Sequence, residues 1–562
     1  MALRTISAIL LMAGSAAHPI GFPLTRTQRA QKLVEEGQGQ ILRRDYAHAI
    51  ESCTKALDVE KDWVPAYLCR GEARLRLGDP LANQDAQKAL TLDPTSGEPY
   101  RLLGLLEYEA GRYHSAIHKF DEALKSVKLK PEAVPEVYYH RAKSRLNLGD
   151  PKMALEDVQR GIGIMQGVNG DFEDWSFYDL RAEIYRSMGD AKKAEAEQKR
   201  VIGLINERLK HHPEESSELL RRRAEANAML RDYDAAVRDY GQVLKADGSD
   251  VGTLLDRATV LSLQGKSEAS IQDADRALKI NPRLPEALYR RAVERAKLGR
   301  HRPALEDFDA YLALRPKDAQ AWMERGVCKQ SLEDYKGAVK DFDQARALGF
   351  SKDSALWEHR AFSLEMLGRH AGALYAARKA LALDPANYTA HTVRAQAGWA
   401  LGRCADAVPS LDWLIDKAPS IAQFRSMRGE CRCSSGDDEQ GLLDLETAAE
   451  MNSKSRYIIL SLALHHRIYL NRHPEKASAA ELRRSMGYFD AAAALGKPDL
   501  DQKLGRLLSA MELSRKLKKV RAARAERTAL LDSSRQECRV LTKKYRKNES
   551  VRKLCRAALN SR

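Results

Sequence analysis

From residue 251 the apolar positions of this chain fall on two successive helical stripes. Leu254, Ala258 and Leu261 recur at steps of three and four and run out at Gly265, and Ile271, Ala274, Ala277 and Leu278 run out at Asn281-Pro282. The spacing predicts two helices joined by a tight turn. Ala258 and Ala277 are small enough to let them approach closely, Gly265 opens the turn, and Pro282 ends the second helix because it has no backbone N–H to donate. The layout returns with Tyr100, Gly104, Gly111, Tyr113, Ala116, Phe120, Ala123 and Pro131, and with Leu288, Ala292, Gly299, Ala304, Phe308 and Pro316. It returns again with Trp322, Gly326, Tyr335, Ala338, Phe342 and Ala345, and with Trp357, Ala361, Gly368, Ala373, Ala380 and Pro385. Weaker units begin near Ala30, Trp63, Pro135, Trp175, Ser217, Tyr388 and Ala422, giving about twelve across residues 30–451. Extra residues near 126–134, 161–174 and 202–216 predict an N-terminal block, a looser middle and a regular block from about Ser217.

One polar position is as regular as the apolar ones. Arg223-Ala224 is followed by Arg257-Ala258, Arg291-Ala292 and Arg325-Gly326 at a constant step of 34 residues, then by Arg360-Ala361, Arg394-Ala395 and Arg428-Gly429. A step of this length marks a two-helix unit stacked on its neighbours. The fold class expected is therefore all-α, an α-solenoid or superhelix of antiparallel helix pairs with a C-terminal helical cap. Sixteen residues after the arginine stand Asp157, Glu197, Asp239, Asp273, Asp307, Asp341 and Asp444. A bidentate bridge between the two helices of a unit, or between units, would fix register more than it adds net stability. The alternative is a ladder of arginines aimed at an anionic ligand. Ala376 and Ser410 occupy the acid position after Arg360 and Arg394, which leaves those two as the expected ligand contacts.

In these residues the chain resembles the tetratricopeptide repeat family. The resemblance implies a concave groove lined by the first helices, holding a protein or peptide partner, in a binding scaffold rather than an enzyme. The groove-facing residues expected by phase are Arg101, Leu105, Tyr108, Arg221, Glu225, Tyr289, Val293, Met323, Val327, Glu358 and Phe362, and each also reads as a solvated helix face. A subclass of the family clamps the C-terminal carboxylate of heat-shock chaperones with a Lys and an Asn one turn apart on a first helix. Here Val34 and Gln38, Leu255 and Thr259, and Met323 and Val327 take those places, which disfavours that role.

Composition changes the picture mainly at the two ends. With 44% hydrophobic and only 6% aromatic residues, the 562-residue chain suits long helices with small contact residues. At the N-terminus, Arg4, an apolar run from Ile6 to Met12 and Ser15-Ala16-Ala17 before His18 have the order of a secretory signal over residues 1–17, followed by a linker over 18–29. The run is too short to span a bilayer, and no later stretch is apolar enough to do so. The expected location is periplasmic or secreted, with the cytoplasm as the alternative if the start is not a signal. Eight cysteines allow three local pairings that suit an oxidising compartment: Cys53 with Cys69, Cys404 with Cys431 or Cys433, and Cys538 with Cys555. Buried free thiols are the competing reading.

Residues 502–562 carry 19 Lys or Arg against 5 Asp or Glu, nearly the whole formal charge of +15. The helical capping region over 452–501 and the array before it are thus close to neutral, and a cationic role falls to Arg515, Lys516, Lys518, Lys519, Arg521, Arg524, Arg527, Lys543, Lys544, Arg546 and Lys547. Three readings compete for this end: a solvated cap, a contact with an anionic surface of lipid or polysaccharide, and nucleic acid. Nucleic acid is disfavoured because Tyr545 is the only aromatic residue there. Leu504, Leu507, Leu508 and Met511 make a short apolar stripe that lapses at Ser514-Arg515, which predicts a capping contact confined to the start of the tail. Chemistry is absent from the pattern. His211-His212 with Glu215, and His465-His466 with His473, lack the spacing of a zinc hydrolase, Cys431-Arg432-Cys433 lacks a second pair, and no phosphate loop or nucleophile elbow occurs. No catalytic residue, metal or cofactor is expected, and the runner-up to an exported scaffold is a cytosolic adaptor in a regulatory or nucleic-acid complex that uses the basic end.

Overall fold

A computed structural model describes residues 25–168, 175–211, 213, 216–518 and 523–560. The expected signal, most of the linker, Lys519 and Arg521 lie outside the described residues. Among the described residues there are 29 α-helices and no strand. Each helix forms for local reasons that recur. Tyr233–Ala246 begins at Asp232, whose carboxylate accepts from the Ala235 N–H, and it turns Ala236, Asp239, Tyr240, Val243 and Leu244 inward at helical spacing. The turn within a pair needs a left-handed residue. Gly299 (φ 72°) supplies it without strain, whereas Arg231 and Glu333 adopt the same conformation (φ 62° and 63°) in units that lack the glycine.

The described chain forms two compact units, one ending at Gly265 and one beginning at Lys266. In the first, the extra residues of the middle lengthen second helices rather than making loops. Pro151–Val168 and Ala191–His211 have 18 and 21 residues against 14 in Tyr233–Ala246. Val201 and Ile205 on the longest of these pack with Leu219 and Ala226 of the next helix, so the chain from Ser216 to Leu263 belongs with the preceding units.

The second unit is built on a core that includes Phe342, Leu356, Trp357, Leu364, Leu374, Ala377, Ala390 and Val393. Its helix pairs approach closely where small residues meet rings. A Cβ added at Gly326 would lie 2.5 Å from the Phe342 ring, so this glycine is required by space. The stack continues past residue 451. Arg456–Arg472 packs on Ala479–Ala494, Leu500–Leu517 on Arg524–Lys544, and Glu549–Leu559 closes the end. Leu513 and Leu517 bury against Leu470, Ala477 and Leu482, while Cys538, Leu541, Val551 and Cys555 close over Leu507 and Met511. The capping contact is therefore not confined to the region before Ser514. The stripe continues on the same helix through Leu513, the buried Ser514 and Leu517, and two later helices cover its earlier part.

The recurrent arginine is built into this packing in both units. Arg291 on the first helix of its unit grips Asp307 on the second with Nε at 3.0 Å and Nη2 at 2.5 Å, and its Nη1 reaches back 2.6 Å to Asp275 on the second helix of the unit before. Arg295, one turn on, donates to the same Asp307 at 2.8 Å. The arrangement repeats at Arg325 with Asp341 and Asp309, joined by Lys329, and at Arg428 with Asp444 and Asp412, joined by Arg432. In the first unit Arg141 joins Asp157 and Asp121, Arg223 joins Asp239 and Asn206, and Arg181 meets Glu197. A variant the sequence pattern did not reveal pairs Arg70 with Asp85, fifteen residues on rather than sixteen. The central carboxylates are buried and the arginines mostly so, which makes each node costly to break and nearly neutral to replace whole.

Asp307→Leu should therefore lower the stability of the second unit by about 3 kcal/mol, because Arg291 and Arg295 lose their shared acceptor. The double variant Arg291→Met, Asp307→Leu should recover most of the loss. Denaturant unfolding of the four chains of this cycle checks it, and a single variant as stable as wild type would show that the node does not fix register.

Candidate functional site

The first-helix face of the N-terminal unit is occupied largely by its own ion pairs. Arg101 donates to Glu98 on its own helix at 2.9 Å, to Glu136 on the next first helix at 2.6 Å and to Glu72 on the preceding one at 3.3 Å. Burial opposes its charge, yet the three glutamates outweigh burial and hold the guanidinium above its ordinary value. Arg101 is thus a clamp across three units and not a free ligand contact. Tyr108 stands between Tyr113 and His140, with the Lys143 ammonium 6.0 Å from its ring and 5.6 Å from that of Tyr139. Arg221 pairs with Glu218 at 3.2 Å and Arg222 with Glu225 at 3.1 Å; burial raises the Glu225 carboxyl despite Arg222. Leu105 is buried in the core of its unit, which removes it from the groove list.

In the second unit Met323 is likewise core, but its neighbours on the same face remain partly open. Tyr289 lies 5.1 Å from Tyr311, and burial, with Glu324 and Asp318 nearby, pushes its hydroxyl up to about 12. Val293, Val327 and Phe362 are partly buried beside it in sequence phase, and Glu358 accepts from Asn387 at 2.7 Å. Glu430 forms a node that sequence reading missed. Trp399 Nε1, Tyr457 Oη and Ser461 Oγ donate to it at 2.8, 2.9 and 2.7 Å, so this buried carboxylate is stabilised by neutral donors from neighbouring first helices. The donors are spread over 62 residues and no local motif joins them.

Of the two arginines expected to meet a ligand, Arg360 is corrected. Its Nε donates to Asp343 at 3.0 Å, the backward partner seen in the other nodes, which the forward spacing of sixteen residues could not show. Arg394 is the exception, and it has neither the forward nor the backward acid.

The cysteine pairs divide. Cys53 and Cys69 have their sulfurs in bonding contact, with Cα atoms 6.1 Å apart, and Cys404 and Cys431 likewise at 5.1 Å. Cys538 and Cys555 share the terminal core as free thiols, which corrects the third expected pairing. Burial is what raises the Cys538 thiol most. At the basic end Arg515, Lys516, Lys518, Lys543, Lys544, Arg546 and Lys547 are exposed. Lys543 and Lys544 lie in the last turn of their helix, where a cation complements the helix dipole. A cleft of about 300 Å³ between the last helices brings Arg515, Lys518 and Arg527 together with Met511, Leu531 and Ala557. Among the described residues there is no cluster of side chains with metal-ligand geometry, and no helix is long and apolar enough to cross a membrane.

Comparison with known proteins follows the same repeats. A family model described as tetratricopeptide repeat matches residues 101–164, 221–285, 289–328, 329–388 and 392–455, and a second tetratricopeptide repeat model matches 176–208, together more than half of the chain. The SGT1 homolog of Bos taurus is 31% identical over 115 residues, 20% of this chain and 32% of that protein. The small glutamine-rich tetratricopeptide repeat-containing protein 2 of Mycosarcoma maydis is 29% identical over 97 residues, 17% of this chain and 28% of that protein. The chain thus spans about a third of the length of these relatives. Among solved structures, a tetratricopeptide repeat protein from Parabacteroides merdae aligns over 45% of this chain and 99% of its own at 20% identity, TM-score 0.32. The Cut9–Hcn1 hetero-tetramer of the APC/C aligns over 86% of this chain and 96% of that chain at 13% identity, TM-score 0.35.

Burial holds His140 down to about 4, with Lys143, Arg76 and Arg101 adding repulsion, and it also lowers His359, His391 and His466. Each excludes a proton that the unfolded chain binds below about pH 6.5. The contribution of each is fully present above about pH 6.5 and is lost as pH falls through its lowered folded value, which for His140 is about 4. His140→Leu should flatten the acid loss of stability of the first unit by up to about 3 kcal/mol; thermal melts between pH 7.5 and 4.5 test this, and unchanged pH slopes would refute it.

Proposed function

The chain belongs to the tetratricopeptide repeat family, and on that premise we propose that it is a non-enzymatic scaffold that holds a protein partner, as an extended peptide or a helix, against the face of its first helices. One observation carries the reading. In the second unit that face presents Tyr289, Val293, Val327 and Phe362 as partly buried apolar side chains, next to a polar group already satisfied within the fold, Glu358 with Asn387. A partner would cover apolar surface without having to break an internal node, and rigid stacked helices hold the face in place before binding. The first unit, whose corresponding face is laced by Arg101 and its glutamates, plays the structural part.

The scaffold is exported in this reading. The order of charge, apolar run and small residues before His18 supports it, and so do the bonding contacts of Cys53 with Cys69 and of Cys404 with Cys431, which we take as disulfides. Photo-crosslinking tests both parts in one experiment on chain made in cells. A crosslinker at Val327 or Phe362 should capture one and the same protein, a crosslinker at Lys340 on a second helix should not, and the recovered chain should lack its first 17 residues. Equal capture at all three positions would sink the groove reading, and an intact Met1 would sink export.

The basic end docks to an anionic lipid or polysaccharide surface in this proposal, and packing of its helices rules out testing it by simple deletion. Removing residues 500–562 would strip the cover from Phe489 and Leu482 and unfold what it was meant to leave intact. Reversing the exposed charges at Lys516, Lys518, Lys543 and Lys544 to glutamate avoids this. Melting should stay within a few degrees, since exposed charges contribute little, while sedimentation with phosphatidylglycerol vesicles falls steeply. Undiminished sedimentation would leave the end as a cap only, and selective loss of oligonucleotide binding would favour the nucleic-acid adaptor.

A further inference from the structure

The node that recurs along the second unit has four places: an arginine on the first helix, an acid sixteen residues later, a second cation four residues later, and an acid of the preceding second helix. At Arg291, Arg325 and Arg428 all four are filled. At Arg394 the three places around the arginine are changed. Ser410 stands at the forward acid, Gly398 at the second cation, and Arg378 at the backward acid, in line with Asp275, Asp309, Asp343 and Asp412. Ser410 is taken up by His391, whose Nδ1 lies 3.1 Å from its Oγ and whose ring stacks on Trp413 at 4.1 Å.

What remains is a cationic defect. Among the described residues Arg394 has no hydrogen bond or ion pair, and its Nε is buried without an acceptor. The acid nearby, Asp406, is already taken by Arg378 and, at 2.9 Å, by Arg403. Burial, offset only in part by Asp406 and reinforced by Arg378, lowers the Arg394 guanidinium below its ordinary value. An arginine left this way keeps unmet capacity for a planar, bidentate acceptor. Arg378 is half-exposed beside it, so the place is open from outside.

We propose that Arg394 and Arg378 form a docking point for an aspartate or glutamate side chain of a protein partner, which completes from outside the node that the fold leaves open. A carboxylate is favoured over other anions because it is the group that fills the equivalent place in every complete node of this unit. The point lies on the second-helix side of the stack and stands whether or not the first-helix face holds a peptide.

The test uses full-length chain and a hexaglutamate peptide, with hexaglutamine and inorganic phosphate as comparators. Arg378→Asp should refill the backward place, pair with Arg394 as Asp343 does with Arg360, raise the melting temperature and weaken hexaglutamate binding by about tenfold or more. Arg394→Gln should weaken it similarly. Binding to the basic end is suppressed by carrying the four charge reversals at Lys516, Lys518, Lys543 and Lys544 in all three chains. Equal hexaglutamate affinity across the three chains would overturn the proposal. So would phosphate binding lost in both variants while hexaglutamate binding is not, which would make the point a phosphate site. If Arg394→Gln fails to fold, Arg378→Asp alone decides, because it restores the pattern of the neighbouring units.

Discussion

A buried aspartate that two cations share is the constraint on which the stack depends. In a solenoid no unit can bury its apolar face alone, so the decisive contacts are those that set each helix pair against the next. Hydrophobic contact between alanine-rich helices is tolerant of sliding, because small side chains offer few knobs to lock a register. A bidentate arginine is not tolerant. Arg325 needs Asp341 on its own second helix and Asp309 on the one before, and only one rotation and one translation of the three helices satisfies both. Breaking a node leaves charge buried, which disfavours slipped arrangements more than the node favours the correct one.

The same logic explains how the ends are finished. A stack must stop, and here the last three helices close a small core around Leu507, Cys538, Leu541 and Val551 while sending their cations outward. Arg467 with Glu512 and Arg483 with Glu526 tie this end to the preceding pair. The charge of the C-terminal region is therefore compatible with tight packing. The apolar face of these helices makes the cap, and their exposed cations lie on the other face.

The faces also differ in what they can offer a partner. Where ion pairs cross between first helices, as at Arg101, the surface is already spoken for; where tyrosine, valine and phenylalanine stand between satisfied polar groups, it is not. Glu430, held by tryptophan, tyrosine and serine donors, shows that the fold also satisfies buried acids without a cation. Such nodes are set by which helices meet, and they obey no fixed spacing.

The helices, their pairing and the forward bridge were legible in the chain because each depends on contacts within one unit of about 34 residues: Ala258 and Ala277, Gly265, Pro282, and an acid sixteen residues after an arginine. The backward partner was printed there as well, in Asp275, Asp309, Asp343 and Asp412, but it acquires meaning only when the preceding second helix is seen to lie against the next first helix. That is why Arg360 looked free and is not, while Arg394 looked free and is. Tertiary packing alone decided that Leu105 and Met323 are core, that Cys538 and Cys555 close a terminal core, and that Ser514 is buried within a stripe that runs on to Leu517. Sequence periodicity fixes what lies on one helix face; which faces meet is settled by the burial of all of them together.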